Sequence, residues 1–380
     1  MQVISQSFSV PYHYKAYFTR DVFSTSNTLL QDLLGNAAGK KVYVVIDSNV
    51  HKNHPKLVEQ IKAYFELIQG HTLCKEILIV PGGEQAKTEA IWLKKILEAT
   101  HQFSIDRHSY IIAIGGGAVL DMVGFASSIA HRGIRHIRIP TTVLAQNDSG
   151  IGVKNSFNYF NKKNYLGTFA PPYAVINDAA FLTTLDKRDW RGGIAEAIKV
   201  ALIKDAAFFH FIEDNATLLN DRNAEVMHQL IFTCAQMHMD HIASGDPFEM
   251  GSSRPLDFGH WAAHKIEQLT DYQIRHGEAV AIGIALDSTY SFLLQMITED
   301  DWKRIIYLLK KLGFSIFIDE LLMSHQQTLA VIHGLQEFRE HLGGKLTIML
   351  LAQIGQGVEV NTMQEEKIVE AIHLLRKSSI

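Results

Sequence analysis

The sequence predicts a two-domain protein, with an α/β nucleotide-binding domain built on a parallel sheet followed by a mostly helical domain. In the first half, short β-branched runs alternate with helical patterns, which is typical of a parallel sheet covered by helices. From about Thr183 onward the strand signals fade and long helical patterns replace them. The length of 380 residues suits two domains. We therefore expect the domains at residues 1–182 and 183–380.

Five strands and two helices are predicted in the first domain. The strands are short β-branched runs that end at polar or glycine-rich turns, and the helices have apolar residues at three- and four-residue spacing. The strands are Lys41–Ile46, Ile77–Val80, Tyr110–Ile114, His136–Ile139 and Ala174–Ile176, and the helices are Pro55–Ile68 and Lys87–Thr100. Ligands of open α/β sheets bind at the carboxyl ends of the strands, so functional residues are expected there.

The second domain is predicted to consist of six helices and one late strand. The helices are Gly192–Asp214, Asn223–Ala243, Leu256–Leu269, Gly277–Thr298, Asp300–Leu312 and Glu365–Lys377, and the β-rich run is Lys345–Leu351. A helical domain docked at the carboxyl ends of the strands would form a cleft.

Composition and charge exclude several classes of function. The formal net charge of −4 gives no electrostatic reason to expect nucleic acid or an anionic membrane as a partner. The two cysteines, Cys74 and Cys234, are far apart and in no ligand-like spacing, which favours reduced, buried thiols. The N-terminus has no signal-peptide pattern, and no stretch holds the ~18 apolar residues of a membrane span. We therefore expect a cytoplasmic protein.

A glycine-rich turn indicates a diphosphate site in the first domain. Gly115-Gly116-Gly117 follows a predicted strand and opens a predicted helix, where the backbone can approach a diphosphate and the helix N-terminus offers unpaired N–H groups. The run is not the G-x-G-x-x-G fingerprint, and a tight turn alone would explain it equally well. The motifs Asp47-Ser-Asn49-Val and Pro81-Gly-Gly-Glu84-Gln-Ala-Lys87, each at the end of a strand, favour a nucleotide.

Histidine and carboxylate spacing suggests a metal site in the second domain. His260 and His264 are four residues apart in a predicted helix, and His276 follows in the motif H-G-E. Glu196 lies in the helical motif A-E-A-I-K. Two imidazoles and a carboxylate with an open position suit catalytic Zn²⁺, which orients and acidifies a substrate hydroxyl. The alternative left open by the spacing is a solvated or internally satisfied histidine pair.

A third cluster combines cations and amides with glycines. It comprises Asp148-Ser-Gly-Ile-Gly-Val-Lys154, Asn158 and Lys162-Lys163-Asn164, preceded by Arg132-Gly133 and Thr141-Thr142. Such groups bind a phosphoryl group through charge-assisted hydrogen bonds. A solvated basic loop is the alternative.

These motifs, in this order, resemble those of the sugar phosphate cyclases, whose best-known member is 3-dehydroquinate synthase. The resemblance runs from about Asp47 to Glu278. Its linked motifs are D-S-N-V, P-G-G-E-x-x-K, G-G-G-x-x-x-D-x-x-G-F, R-G, P-T-T-x-L-A-Q-x-D, A-E-x-I-K, F-G-H-x-x-x-H and H-G-E-A-V.

The resemblance implies a role for each matching residue. Those implied to contact NAD are Asp47, Asn49, Glu84, Lys87, Gly116, Gly117, Asp121, Thr141, Thr142, Lys163 and Thr184. Glu196, His260 and His276 would ligate the metal, zinc or cobalt. Those implied to line the substrate pocket are Asp148, Lys154, Asn164, Lys199 and His264, with Lys154, Asn164 and His264 near the phosphate. Arg132 matches an arginine that reaches a phosphate across the interface of a homodimer.

The reaction implied by the resemblance is a cyclisation that leaves NAD unchanged overall. A secondary alcohol is oxidised, phosphate leaves by elimination with the substrate phosphate as base, and the ketone is reduced again. Ring opening and intramolecular aldol closure then give a carbocycle. Lys154 and Lys199 would stabilise developing negative charge. The implied class is therefore a carbon–oxygen lyase acting on phosphates.

The chain departs from dehydroquinate synthases where they grip the substrate carboxylate. The family's lysine and arginine align with Met239 and Ser253, and its asparagine aligns with Asp257. Serine replaces a bidentate arginine poorly and an aspartate repels a carboxylate, while Arg254 could compensate only with a local shift. The family's late D-K-K segment is also missing, with Arg339-Glu340-His341 in its neighbourhood.

These departures favour a substrate without a carboxylate, such as sedoheptulose 7-phosphate or a similar ketose or aldose phosphate. The dehydroquinate reaction is the first alternative. A polyol or alcohol dehydrogenase of the glycerol dehydrogenase-like fold is the second alternative. It would leave four residues without a role: Lys154, Asn164, Lys199 and Arg132. A non-catalytic binding protein is the third, and the intact metal positions argue against it.

Overall fold

The computed structural model describes residues 1–35, 39–160, 162–248, 256–325, 328–341, 344 and 346–379. The chain forms two compact units: unit 1 comprises Met1–Thr141 and Gly152–Thr183, and unit 2 comprises Thr142–Ile151 and Thr184–Ile380. The predicted fold class, an α/β domain followed by a helical domain, is confirmed. The segment Thr142–Ile151, which the sequence places in the first domain, is part of unit 2.

Unit 1 contains a seven-stranded parallel sheet and a separate hairpin. Its strands are β1 (Ala16–Thr19), β2 (Lys40–Asp47), β3 (His71–Leu73), β4 (Leu78–Val80), β5 (Tyr110–Gly115), β6 (Arg135–Pro140), β7 (Lys154–Tyr159), β8 (Lys162–Phe169) and β9 (Ala174–Asp178). The sheet order is β1-β9-β6-β5-β2-β3, with β4 also paired to β2. β7 and β8 form the antiparallel hairpin. Because β2, β5 and β6 are central and parallel, their carboxyl ends meet at one edge.

The helices of unit 1 cover the sheet. They are α1 (Leu29–Leu34), α2 (Ser48–Asn53), α3 (Leu57–Leu67), α4 (Gln85–Thr88), α5 (Ala90–Gln102) and α6 (Gly117–Ile129). One core cluster joins Val44, Ile112 and Ile137 of the strands to Ile61 and Tyr64 of α3. Burial of each large apolar side chain contributes ~1.5–3 kcal/mol, which explains why the β-branched runs form the interior.

Unit 2 is mainly helical, as predicted. Its helices are α7 (Lys187–Lys204), α8 (Ala206–Asp214), α9 (Ala216–Asn220), α10 (Ala224–Ala243), α11 (His260–Leu269), α12 (His276–Leu293), α13 (Glu299–Lys311), α14 (His333–His341) and α15 (Glu365–Ser379). Its strands are β10 (Ser324–His325), β11 (Thr328–Leu329), β12 (Ile348–Gln353) and β13 (Gln356–Val360). α7 and α12 are buried along most of their length, so they form the centre of this unit.

Three predicted elements differ from the structure. The predicted helix Lys87–Thr100 is interrupted at Glu89, whose extended backbone separates α4 from α5. The predicted helix Gly192–Asp214 is two helices, because the Asp205 carboxylate accepts hydrogen bonds from the backbone N–H groups of Ala207 and Phe208 and so starts α8. The cluster predicted as a loop around Lys154 and Asn164 is the hairpin of β7 and β8. Cys74 and Cys234 are free and buried, as expected. Among the described residues, no helix is long and apolar enough to cross a membrane.

Candidate active site

The D-S-N and P-G-G-E motifs lie together at the carboxyl edge of the sheet in unit 1. Asp47 ends β2, and its carboxylate accepts a hydrogen bond from the backbone N–H of Asn49 at 2.8 Å, which caps α2. A Cβ at Gly82 would collide with the side chains of both residues. Gly82 therefore has to be a glycine for the two motifs to pack.

The triple glycine joins β5 to α6 at the same edge. Gly115 ends the strand, Gly116 is the N-cap residue and Gly117 begins the helix. The Gly115 carbonyl accepts a hydrogen bond from the backbone N–H of Thr141 at 3.0 Å. The first turn of α6 carries no side-chain cap, so its N–H groups are placed to receive an anion.

Lys87 is the centre of a buried polar network in unit 1. Its side chain is 2% exposed, and its ammonium donates to Asp121 at 2.8 Å, Ser156 at 2.8 Å and Asn164 at 2.5 Å. A lysine ammonium has three donors, and all three are used. Asn164, predicted near the substrate phosphate, thus lies beside Lys87 and Asp121, which are predicted to contact NAD.

A second network links the hairpin to Glu84. The Glu84 carboxylate accepts a hydrogen bond from the Asn158 amide at 3.0 Å, and the Lys163 ammonium lies 3.5 Å from the same carboxylate. The Asn158 side chain in turn accepts from the backbone N–H of Asn164 at 2.8 Å. The structure therefore brings Glu84 and Lys163 together, and both are predicted NAD contacts.

The remaining predicted residues of unit 1 are at its surface. Lys154 is exposed at the start of β7. Arg132 is exposed and has a backbone φ of +63°, which places it in the left-handed region before Gly133. Both side chains are accessible to a phosphate, and their roles stay predictions.

In unit 2, the three predicted metal ligands converge from three helices. Glu196 of α7 is fully buried, and its Oε1 lies 3.3 Å from Nε2 of His276 and 3.8 Å from Nε2 of His260. His276 begins α12 and His260 begins α11. The ligand atoms all lie within 4.8 Å of one another, close enough to hold one ion.

The hydrogen bonds of the two histidines fix their tautomers. Nδ1 of His260 faces the Phe258 carbonyl at 3.2 Å, and Nδ1 of His276 faces the Glu267 carboxylate at 3.2 Å. Both partners are acceptors, so each Nδ1 carries a hydrogen, and each Nε2 lies on the side of Glu196. In the neutral form of the rings, the Nε2 lone pairs and the Glu196 carboxylate can all bind one cation. The donor set therefore fits a divalent metal such as zinc.

Charges around Glu196 support the same interpretation. Its two oxygens are buried and receive no hydrogen bond of good geometry from the described residues, although the Lys199 ammonium lies 2.5 Å from Oε2. Burial would raise the pKa of Glu196, but Lys199 and the histidines hold it well below its usual range. Burial and the Lys199 charge lower the pKa of His260 to about 4, so this ring is neutral near pH 7, as a metal ligand must be.

Two pairs of glycines allow the ligand-bearing helices to approach closely. A Cβ at Gly277, next to His276, would collide with the backbone of Gly192 on α7. A Cβ at Gly283 of α12 would collide with the backbone of Gly259, next to His260. The glycines of F-G-H and H-G-E are thus required for helix packing.

Asp287 of α12 holds the start of α11 by hydrogen bonds. Its buried carboxylate accepts from the backbone N–H of Gly259 at 2.9 Å and from the Trp261 indole at 2.8 Å. Burial raises the pKa of Asp287 to about 7. Because these partners flank His260, Asp287 orients that ligand.

The other predicted residues of unit 2 surround this cluster or lie at the surface. His264 is exposed, and its ring centroid lies 5.5 Å from that of His260. Asp148 lies in a π-helical segment, Ala145–Ser149, and the Thr142 hydroxyl accepts a hydrogen bond from the backbone N–H of Ala145 at 3.1 Å. Thr184 is exposed. Ser253 and Arg254 lie outside the described residues.

Two functional candidates were missed by sequence reasoning, Glu267 and His238. Glu267 holds the His276 tautomer and is seven residues from His260, on the same helix face, so the spacing could have revealed it. Nδ1 of His238 lies 2.7 Å from the Asp148 carboxylate. His238 comes four positions after the buried Cys234 on α10. Only the fold shows that this face of α10 meets Asp148.

Comparison with known proteins gives one consistent result. The family models for the N-terminal and C-terminal parts of 3-dehydroquinate synthase match residues 77–192 and 193–336. The 3-dehydroquinate synthase of Thermoanaerobacter pseudethanolicus is 32% identical over 94% of this chain and 96% of its own length. The 2-epi-5-epi-valiolone synthase of Streptomyces glaucescens is 30% identical over 93% of this chain and 88% of its own length.

A solved structure extends the likeness to three dimensions. The 2-epi-5-epi-valiolone synthase ValA of Streptomyces hygroscopicus subsp. jinggangensis, with NAD⁺ and Zn²⁺ bound, has a TM-score of 0.85 and 27% identity. The match covers 99% of this chain and 100% of that one. Family models, relatives and fold agree with the linked motifs, and the chain therefore belongs to the 3-dehydroquinate synthase family of sugar phosphate cyclases.

Proposed function

We propose that this protein is an NAD- and metal-dependent cyclase that acts on a neutral ketose or aldose phosphate such as sedoheptulose 7-phosphate. The observation that carries the proposal is the charge around Lys199. Burial would lower the pKa of Lys199, but Glu196, Asp148 and Asp257 together raise it above its usual value. Lys199 contacts the Glu196 carboxylate, and the charges of Asp148 and Asp257 also act on it, so its charge is compensated without a carboxylate of the substrate.

The positions at which the family's carboxylate-binding residues are replaced support the same substrate class. Met239 on α10 carries no charge, and Asp257 adds a carboxylate before α11. These positions offer a carboxylated substrate no cation and add one carboxylate, whereas sugar hydroxyls can donate hydrogen bonds to carboxylate oxygens. A relative named for valiolone synthesis, 30% identical over 93% of the chain, is in keeping with this choice.

The residues of unit 2 fit the metal-dependent half of the reaction. Glu196, His260 and His276 would hold the metal, and Glu267 would keep His276 in the tautomer that binds it. Lys199 fixes the Glu196 carboxylate and can stabilise negative charge that develops on the substrate. When bound, zinc or cobalt polarises a substrate hydroxyl and NAD accepts and returns a hydride.

The residues of unit 1 fit the binding of the dinucleotide. The backbone of Gly116 and Gly117 and the N-terminus of α6 would receive the diphosphate. Asp47 and Glu84 offer carboxylate oxygens to ribose hydroxyls at the ends of neighbouring strands. Lys154, and Arg132 from the second subunit of a homodimer, would bind phosphoryl groups.

Phosphate release tests the proposal directly. Purified protein loaded with zinc and NAD would be assayed with sedoheptulose 7-phosphate, other neutral sugar phosphates and the carboxylated seven-carbon shikimate precursor. We expect phosphate release from a neutral sugar phosphate without accumulation of NADH. Release from the carboxylated substrate alone would identify a divergent dehydroquinate synthase, and net NADH formation from a simple polyol would identify a dehydrogenase.

Replacement of Lys199 tests the role of its charge. We expect Lys199→Ala to lower phosphate release by a factor on the order of 10²–10³, because one preorganised charge is lost from the site. Bound metal and NAD would be measured in the same preparation. Near-normal turnover by the variant would refute this role.

A further inference from the structure

His238 lies on the inward face of α10 but keeps part of its surface accessible. Cys234, one helical turn earlier, is completely buried. The side chain of His238 is 17% exposed, and that of its partner Asp148 is 19% exposed. The pair is therefore neither sealed in the core nor freely solvated, and a small ligand can reach it.

The contact with Asp148 fixes how the imidazole is oriented. Nδ1 of His238 lies 2.7 Å from the carboxylate of Asp148. Burial would raise the pKa of Asp148, but the charges of Lys199 and His238 lower it, so this carboxylate is ionised and accepts only. Nδ1 must then carry the hydrogen, and Nε2 is the nitrogen left for another partner. Among the described residues, none hydrogen-bonds to Nε2.

The pair belongs to the charged cluster around the metal ligands. Asp148 interacts with Lys199 and Glu196, and Lys199 contacts Glu196 at 2.5 Å. His238 thus forms the outer end of a connected set of groups within unit 2. None of the motifs that define the family includes His238.

We infer that His238 is a substrate-binding residue that selects neutral sugar phosphates by hydrogen bonding one substrate hydroxyl through Nε2. The inference deepens the proposed function and rests on it. With Nδ1 bound to Asp148, Nε2 can form a hydrogen bond with a substrate hydroxyl, whereas a substrate carboxylate at the same place would meet the Asp148 charge. The pair thus favours a polyol, and His238 directly precedes Met239, one of the positions where the family's carboxylate-binding residues are replaced.

Two substitutions separate binding by His238 from mere support of Asp148. The amide nitrogen of His238→Asn can replace Nδ1 as the donor to Asp148, but this side chain lacks Nε2. The amide of His238→Gln reaches the position of Nε2 and does not reproduce Nδ1. His228→Asn is the matched control, because His228 is an exposed histidine on the same helix.

The measurement is steady-state phosphate release from sedoheptulose 7-phosphate by the zinc- and NAD-loaded variants. For His238→Asn we expect KM to rise about tenfold, which corresponds to one lost hydrogen bond, with a smaller change in kcat. His238→Gln should regain part of this loss, and His228→Asn should match the unsubstituted protein. Bound zinc and Tm should be unchanged in all three.

The outcomes distinguish failure of the inference from failure of the proposed function. If the unsubstituted protein acts on the neutral substrate and His238→Asn keeps its KM, the inference alone is wrong and His238 only supports Asp148. If the unsubstituted protein acts on the carboxylated substrate alone, the proposed function fails and the inference fails with it.

Discussion

The two units differ in how the partners of a buried charge are supplied. In unit 1, the Lys87 ammonium has a protein acceptor for each of its three donors. In unit 2, the fully buried Glu196 carboxylate has the Lys199 ammonium at Oε2, while its Oε1 faces Nε2 of two histidines. The first arrangement is complete without a ligand, whereas the second has room for a metal ion between Oε1 and the two rings. Unit 1 is therefore preorganised by its own chain, and unit 2 depends on its metal.

The largest expected effect is the loss of the metal site. Glu196→Gln removes the one anionic ligand, and we expect bound zinc to be lost and phosphate release to fall by a factor on the order of 10³ or more. Metal analysis of the purified variant gives the first measurement and phosphate release the second. A variant that retains one equivalent of zinc would show that Glu196 is not a ligand.

The next effect concerns the stability of unit 1. Lys87→Met leaves the Asp121 carboxylate beside Ser156 and Asn164 without its cation, and breaking a buried pair in this way costs about 3–5 kcal/mol in free energy of unfolding. Chemical denaturation measures the loss, and Lys94→Met, at an exposed position, is the control. A change below about 1 kcal/mol, as for an exposed pair, would contradict the comparison.

A smaller effect, on zinc affinity, is expected for Glu267, which is hydrogen-bonded to the metal ligand His276. Glu267→Gln weakens the hydrogen bond that fixes the His276 tautomer, and we expect zinc affinity to fall by about 10–100-fold. Competition with a chelator measures this affinity. Unchanged affinity would mean that His276 is oriented by its position at the start of α12 alone.

The last substitution separates the units most clearly. Ser156→Ala removes one of the three acceptors of Lys87, and we expect a loss of about 1.5–3 kcal/mol in free energy of unfolding, as for a hydrogen bond to a charged group. Zinc content should stay the same, because Ser156 belongs to unit 1. Loss of zinc from this variant would show that the two units do not behave independently.

Local patterns predicted the central strands, whereas the set Glu196, His260 and His276 was implied by the family resemblance, because spacing alone also allowed His264. β-branched runs mark β2 and β5, and the glycines of F-G-H and H-G-E mark close helix packing. His238 escaped prediction because its partner Asp148 is 90 residues away along the chain, whereas the helical spacing of Glu267 from His260 could have indicated its role. The hairpin of β7 and β8 is predicted as a loop, because its many polar residues do not show the apolar pattern that indicates strands.

The route of the chain between the units bears on how the protein is made. Residues 142–151 belong to unit 2, yet residues 152–183 return to unit 1. On the ribosome, this segment and its Asp148 emerge before all other residues of unit 2. Unit 1 can fold as soon as Thr183 has emerged. The segment 142–151 cannot pack until its partners α7 and α10 have been synthesised. Exchange of unit 2 between relatives by a single gene crossover near residue 183 would therefore pair Asp148 of one parent with Lys199 and His238 of the other.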